Sequence, residues 1–579
     1  MKMQNYEVLR TDVLVIGGGA AACMAAISAH NEGAEVLVLD KGQVGKSGCS
    51  PNAHGGMALY HKDEKDNWKV HLEDTLMSGG FLNNQEIVKI LCRESAKFPA
   101  MLERYGALFN RDDDGSYSVR QFGGHRYKRS IFSGDETGHE MMNGLKREVY
   151  RLGITLKDEV MVLRVLIKNY EVVGAFAWDM AAGRFIVVQT PTVVLATADG
   201  AGIWPSASER QRGDGLFLAM QAGAELTDIE FIQYHPTHAW WPYGVRGSVS
   251  ESFRSEGGIL LNSEGERFME RYDPKQKELA TRDKVSVCIF KEIQAGRSAP
   301  HGGIFASVTH LDPDHVVKRL RVIFRKYMGF GYDIRKQPIE VRPRPHYLNG
   351  GVMTDSNSGT RVSRLFAAGA VTAGVHGANR LGSNALVDIL VFGDIAGRNA
   401  AQRARMTKIS GFDAVRQIEE EFGRIERLLS DEAKSNPCTI PVLRRRHVEM
   451  MDRYMGVMRT EEGMKEMLKE IDRTKTEEMP NLSLRSKSLM HNYELRDAFE
   501  MSFRLAIEEM STKAALMRKE SRGSHYRDDY PTRNDREWLK NIVFILKDGE
   551  LQVETRDVVQ SILRLEELPE YASSDSPWH

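Results

Sequence analysis

"DVLVIGGGAAACMAAISAHNEGAEVLVLDK", residues 12–41, runs from an apolar strand through a glycine turn and an alanine-rich helix to a second apolar strand and an acid. Asp12 to Ile16 reads as a buried strand, and Gly17-Gly18-Gly19-Ala20-Ala21-Ala22 opens a helix that ends near Asn31 and Gly33. Glu35 to Leu39 form the next strand. The turn is G-x-G-x-x-A: Gly17 makes the tight bend, Gly19 lets a pyrophosphate approach the backbone, and Ala22 allows close helix–strand packing. Unpaired N–H groups and the helix dipole favour an anion at that N-terminus. Asp40 follows at about the spacing of 20 residues expected for the acceptor of a ribose 2′-hydroxyl. A glycine triplet alone is a weak sign, but all five features in register specify a dinucleotide site.

The dinucleotide could be NAD or FAD, and the rest of the chain favours FAD. Glycine-rich segments return far downstream, at "VVLATADGAG" (193–202), "RGDGL" (212–216) and "RLFAAGAVTAGVHGANRLGSNAL" (364–386). One domain assembled from distant stretches, with another inserted between them, suits a long flavin held at both ends. The expected fold class is therefore α/β. A Rossmann-like FAD-binding domain in two parts (1–230 and 341–400) accepts an inserted α+β capping domain (231–340). A helical bundle (401–520), rich in Glu, Lys, Arg, Leu and Met at helical periodicity, comes next. A small C-terminal domain (521–579) closes the chain, and its tail "YASSDSPWH" reads as loose.

A chain of 579 residues supports several cores. Its 79 basic and 80 acidic side chains nearly cancel, so no overall field gathers nucleic acid or an anionic membrane. The five cysteines are scattered and form no Cys-x-x-Cys pair, which argues against an intrinsic iron–sulphur cluster or zinc site and for a reducing compartment. No metal site is expected. Neither a leader nor a bilayer-spanning apolar run is evident, so the expected location is cytoplasmic, with docking to the inner face of a membrane through partner subunits left open.

Between the glycine segments lie His235 in "YHPTH", Arg254 in "SESFRSEGG", Arg282 in "ATRDKVS", His346 in "RPHYLNGG", and His376 and Arg380 in "VHGANRLGSN". Singly each is ordinary. Together they read as a site for a small dianion, because arginine grips a carboxylate through two parallel hydrogen bonds and stays charged. His235 and His238 flank Pro236-Thr237 and superficially suggest a metal pair, but no third ligand accompanies them, and His238 reads as non-catalytic. "HAWWPYG" (238–244) reads as an aromatic loop used for packing.

These segments, with the C-terminal "ESRGSHYRDDYPTRNDREWLK", resemble the flavoprotein subunits of the fumarate reductase and succinate dehydrogenase family, which includes L-aspartate oxidase. The likeness runs from residue 11 to about 545, with the HPT, EGG-I-L-x-N, RDKVS, GG-x-x-TD and HGANRLGSN segments in family order. The resemblance implies that His235, Ser250, His346 and Arg380 hold the carboxylates of fumarate or succinate over the flavin. It makes Arg282 the proton donor to carbon, resupplied through Glu251 and Arg254. It assigns FAD contacts to Gly17, Gly19, Ala22, Asp40, Lys41, Ser47, Gly48, Cys49, Gly55, Gly56, Asp214, Ser383 and Leu386.

Three departures matter. In membrane-bound members of the family, a histidine in the loop matching "SGCSPNAHGG" carries the flavin covalently. Aligning on Ala53 and Gly55-Gly56 puts Cys49 in that place, with His54 five residues too late. The resemblance thus implies noncovalent FAD and a bias toward fumarate reduction, since a potential shift on the order of 100 mV is worth about 4–5 kcal/mol for two electrons. A cysteinyl link at Cys49 is the alternative. Ala370 stands where relatives commonly have a glutamate contacting the ribityl chain, a loss of about 1–3 kcal/mol if nothing replaces it. Asp199 stands where relatives usually have Gly, in what reads as the adenine-end loop. The electron partner implied is an iron–sulphur subunit, with a membrane anchor or a soluble thiol-oxidising or hydrogenase-linked partner also open. The rival functions are L-aspartate oxidase and a noncatalytic flavin relay or scaffold.

Overall fold

The computed structural model describes residues 6–60, 65–205, 210–407, 412–430, 437–547 and 549–568. The tail "YASSDSPWH" lies outside them. A five-stranded parallel sheet forms the base, in the order Leu365–Ala367, Thr192–Leu195, Val13–Ile16, Val36–Leu39, Thr155–Lys157. Its central strands are buried on both faces, as their unbroken Val/Leu/Ile runs require. The helix Ala20–Asn31 follows the glycine turn and is buried from Ala20 to Ala29. It lies against the helix Asn384–Arg405, where a Cβ on Gly397 would strike the Ala25 carbonyl. Small residues on both helices are what permit that approach.

A second sheet stands against the first, made of Tyr6–Arg10, Arg184–Gln189, Glu171–Asp179 and Val160–Lys168. Tyr6–Arg10 is an edge strand with no counterpart among the elements expected from sequence, and it pairs in parallel with a strand almost 180 residues away.

The inserted unit carries an antiparallel sheet in the order Ile232–Trp241, Ile339–Leu348, Ile304–Ser307, Ile259–Leu261. The expected boundary at residue 340 falls inside the strand Ile339–Leu348, so the sheet extends past it. Trp240 and Trp241 end the strand Ile232–Trp241 and do not sit in a loop. Trp240 packs under the Arg342 and Arg344 guanidinium groups at 5.0 and 5.2 Å.

Helices Val415–Leu429, Ile440–Tyr454, Glu461–Arg473 and Tyr493–Met517 form the bundle, with Met451, Met464, Met467 and Met510 fully buried as core filling. The helix Asn384–Arg405 reaches past residue 400, so the flavin domain runs slightly into the span expected to be bundle. The C-terminal hairpin Lys540–Lys547 and Glu550–Asp557 adds to strands Leu226–Thr227 and Gly351–Val352 of the flavin domain. A buried ionic chain of Glu230, Arg518, Glu520 and Arg522 ties it to the root of the cap. No helix among the described residues is long and apolar enough to cross a membrane.

Candidate active site

A cleft of about 1230 Å³ runs from the glycine turn, under the cap, to the arginine and histidine set. At its first end Gly17 has φ +124°, a conformation glycine adopts without strain, and a Cβ there would run into the Ala196 carbonyl. Gly18 and Gly19 complete the wall. The 45–56 loop closes over it: Gly45 N donates to Gly18 O at 2.8 Å, and Gly56 packs on the Ile131 carbonyl too closely for any side chain.

Asp40 lies at this end with Oδ2 accepting from Gly42 N at 3.0 Å. Lys41 is pinned between Asp214 at 2.6 Å and Glu500 at 2.7 Å. Burial works against its ammonium, but the two carboxylates outweigh it and raise its pKa. At the far wall, Ser383 takes a left-handed φ of +66° ahead of the 22-residue helix Asn384–Arg405, whose N-terminus faces the cleft. Ser383 Oγ is buried without a protein partner. An extended cradle with close backbone at one end and, at the other, a helix N-terminus with an orphaned hydroxyl beside it fits FAD.

At the chemistry end five segments converge. Glu251 begins a short helix, Glu251–Ser255, capped by Ser250, whose side chain accepts from Ser252 N. Arg282 begins the helix Arg282–Gln294 and places Nε and Nη2 at 2.9 and 2.7 Å from Glu251 Oε2. Glu251 Oε1 accepts from Gly123 N at 3.0 Å and lies 3.6 Å from Arg254 Nη2. Burial alone would raise the Glu251 carboxyl, but Arg282, Arg254 and the Gly123 N–H hold it at about 2. One permanent anion is thus clamped between two cations.

Arg380, on the loop before the long helix, places Nη2 at 2.9 Å from Gln233 Oε1 and stacks over Tyr347 at 4.8 Å. Burial, and then the Arg282 charge, bring its guanidinium down to about 9. His235 and His346 face each other with ring centroids 5.5 Å apart. Burial and the nearby Arg282 push both far below the ordinary histidine value, so they are neutral dipolar groups at working pH. Three guanidinium groups and one carboxylate leave this pocket cationic before any ligand enters.

The family description "FAD binding domain" matches residues 12–386, and "Fumarate reductase flavoprotein C-term" matches residues 444–570. The chain belongs to the fumarate reductase and succinate dehydrogenase flavoprotein family. A fumarate reductase (CoM/CoB) chain of Methanothermobacter marburgensis is 39% identical over 542 residues, covering 93% of this chain and 97% of the relative. The fumarate reductase flavoprotein subunit of Escherichia coli is 33% identical, covering 96% and 94%. A solved E. coli quinol fumarate reductase FrdA variant overlays with a TM-score of 0.90 at 30% identity, covering 97% of this chain and 99% of that one.

The positions singled out in the sequence divide by whether they reach the cleft. Gly17, Gly19, Asp40, Lys41, Ser47, Gly48, Cys49, Gly55, Gly56, Asp214, Ser383 and Leu386 line the cleft, as do His235, Ser250, Glu251, Arg282, His346 and Arg380. Ala22 does not reach it. Its methyl is buried within the helix Ala20–Asn31, where it serves packing. Arg254 stands behind Glu251, off the cleft wall, with Nη1 donating to Glu278 O. His376 also lies off the wall, its Nε2 against the Tyr347 hydroxyl at 3.3 Å.

Several participants carry no role in the sequence reading. Gln233 takes both Arg282 Nη1 (3.3 Å) and Arg380 Nη2 on Oε1 while its Nε2 donates to Asn379 Oδ1 and Arg380 O. It sits two residues before His235, and strand alternation puts both on one face, a signal that was legible. Arg496 and Glu500 come from the bundle helix Tyr493–Met517 and had no local sign. His238 lines the cleft although read as outside the chemistry, and burial beside Arg344 and Lys326 takes it down to about 3. Asp199 is not confined to an adenine-end loop: its Oδ2 accepts from Leu348 N at 3.3 Å, on the strand that carries His346.

Proposed function

We propose that this chain is the flavoprotein subunit of a fumarate reductase, that it holds FAD without a covalent bond, and that it works chiefly in the direction from fumarate to succinate. The observation that carries the reading is the meeting of Arg282, Arg380, His235 and His346 at one end of a cleft whose other end is a dinucleotide turn. FAD, when bound, supplies the hydride.

The residues of the chain supply the rest. Arg380 and the neutral imidazoles of His235 and His346 take the carboxylates, with Ser250 adding a hydroxyl. Gln233 keeps Arg380 and Arg282 at a fixed separation. The cationic surround draws charge from the alkene toward the bound carboxylate and stabilises the anionic character that develops there. Arg282 delivers a proton to the other alkene carbon. Glu251, which touches two nitrogens of Arg282, and Arg254 behind it return one, so neutral arginine need not persist. Glu251, held at about 2, rests as the anion, so it can resupply Arg282 only by taking one proton from behind as it gives one up, and it stores none.

The test is anaerobic. Protein reconstituted with FAD is given reduced viologen and then fumarate. Rapid dye oxidation is the expected result. Silence from flavin-loaded protein that instead turns over aspartate would make it an L-aspartate oxidase, and silence with both substrates would make it a flavin relay.

Cys49 is half-exposed on the cleft wall beside the short turn Ser50–Asn52. Acid precipitation is expected to release all the flavin into the supernatant. A yellow pellet lost in Cys49→Ala would instead establish a cysteinyl bond.

We place the electron source in a separate iron–sulphur subunit. The five cysteines of this chain are distributed over different parts of the fold. The M. marburgensis relative, a fumarate reductase (CoM/CoB), supports a CoM/CoB couple as the ultimate reductant.

A further inference from the structure

The strand Ile339–Leu348 delivers His346 to the dicarboxylate end, but the ladder does not hold it there. Gln233 pairs with Tyr347 and Tyr234 with Pro345, so His346 is the extra residue of a bulge. A bulged residue loses its place in the ladder, and its side chain can be re-aimed. Something else must fix it. Gln211 Nε2 donates to the His346 carbonyl at 3.1 Å and to Asp199 Oδ2 at 3.0 Å. Asp199 Oδ2 also accepts from Leu348 N at 3.3 Å, and Oδ1 from Ala201 N at 2.8 Å. Asp199 is fully buried and Gln211 is 3% exposed, so water does not substitute for these bonds.

We propose that Asp199 and Gln211 form a positioning couple that sets His346 in the dicarboxylate site by holding its bulged backbone from behind. The proposal rests on the function proposed above. Both partners of the Gln211 amide nitrogen are acceptors, so the amide has one workable orientation, and Asp199 imposes it. Three N–H donors point at the two Asp199 oxygens, a set that a carboxylate satisfies and a carboxamide does not. An asparagine would turn its NH₂ toward one of them. Gln211 would then flip to present Oε1 and lose the His346 carbonyl. Asp199 has a second effect in the same direction, because its charge supports that of Arg380.

The test uses the FAD-loaded protein at pH 8, above the value of about 7 to which burial pushes Asp199. Malonate is the probe, its binding read from the flavin absorbance, alongside KM for fumarate. Asp199→Asn and Gln211→Leu are each expected to raise the malonate Kd and the fumarate KM about tenfold, with FAD content and thermal midpoint close to wild type. Because the Gln211 bond to His346 depends on Asp199, the double variant is expected to be no worse than Asp199→Asn alone. Gln211→Leu carries the test alone if Asp199→Asn fails to fold. Wild-type malonate affinity in flavin-loaded variants, or additive losses in the double, would overturn the couple. A wild-type protein that binds no malonate would instead overturn the proposed function, and the couple with it.

Discussion

Arg282→Gln is expected to lower kcat for fumarate by about 10³–10⁴-fold while the flavin spectrum still responds to a bound dicarboxylate. That figure combines the loss of a positioned proton donor, about 10²–10⁴-fold, with the loss of a charge aimed at the developing anion, about 10²–10³-fold; the two overlap in one side chain and do not multiply. Glutamine keeps some of the volume but cannot deliver the proton. The substitution also takes one cation from the buried Glu251, for which breaking an ion pair costs about 3–5 kcal/mol. Arg254 and the Gly123 N–H remain on that carboxylate and limit the damage. Arg282→Lys separates the two effects: it retains the charge and a contact to Glu251 but not the fork, so it is expected to be near wild type in thermal midpoint and still impaired in turnover. Undiminished turnover in either flavin-loaded variant would remove Arg282 from the role of donor.

Arg380→Met is expected to act on binding more than on turnover, raising KM for fumarate about 10²–10³-fold. The figure corresponds to losing two charge-assisted hydrogen bonds of about 1.5–3 kcal/mol each, less the desolvation that methionine does not require. The variant leaves Gln233 Oε1 with Arg282 alone. A pH profile gives an independent reading. The protonated guanidinium is the form that binds a dianion, and burial with the Arg282 charge sets Arg380 at about 9 in the free protein. kcat/KM is therefore expected to be level between about 7, below which Asp199 loses its charge, and that value, and to fall as pH rises through it. A bound dianion favours the charged form, so the same limb in kcat should lie higher. In Arg380→Met the limb near 9 should disappear from a profile that is already low. A limb that survives the substitution would assign it to another group.

Much of this protein was legible in its sequence because the information is local. The glycine turn at Gly17–Gly19 and the strands around it are close in the chain and follow from glycine's freedom and from unbroken apolar runs. Arginine and histidine in short glycine-rich segments stand out against a charge-balanced background, and the structure brings His235, Glu251, Arg282, His346 and Arg380 to one end of one cleft. Ala22, third residue of the same motif, lies off the cleft, because packing residues and wall residues share one short pattern.

Residue order alone was therefore enough for the α/β fold class and the dinucleotide cofactor, and it singled out cationic groups that the structure gathers along one cleft. How those groups are held is a property of the folded chain. Gln233 joins two arginines 98 residues apart, as the separation of Arg282 and Arg380 shows. Glu500 reaches back 459 residues to Lys41, and Asp199 reaches 149 residues forward to Leu348. The edge strand Tyr6–Arg10 and the hairpin Lys540–Asp557 likewise take their partners from remote segments. The side-chain links are single polar contacts with no periodicity, no fixed spacing and no composition of their own, and the strand pairings are ladders whose remote partner the local pattern does not name. They exist because a buried donor or acceptor must find a partner wherever folding brings one, and where that is depends on the whole packed chain.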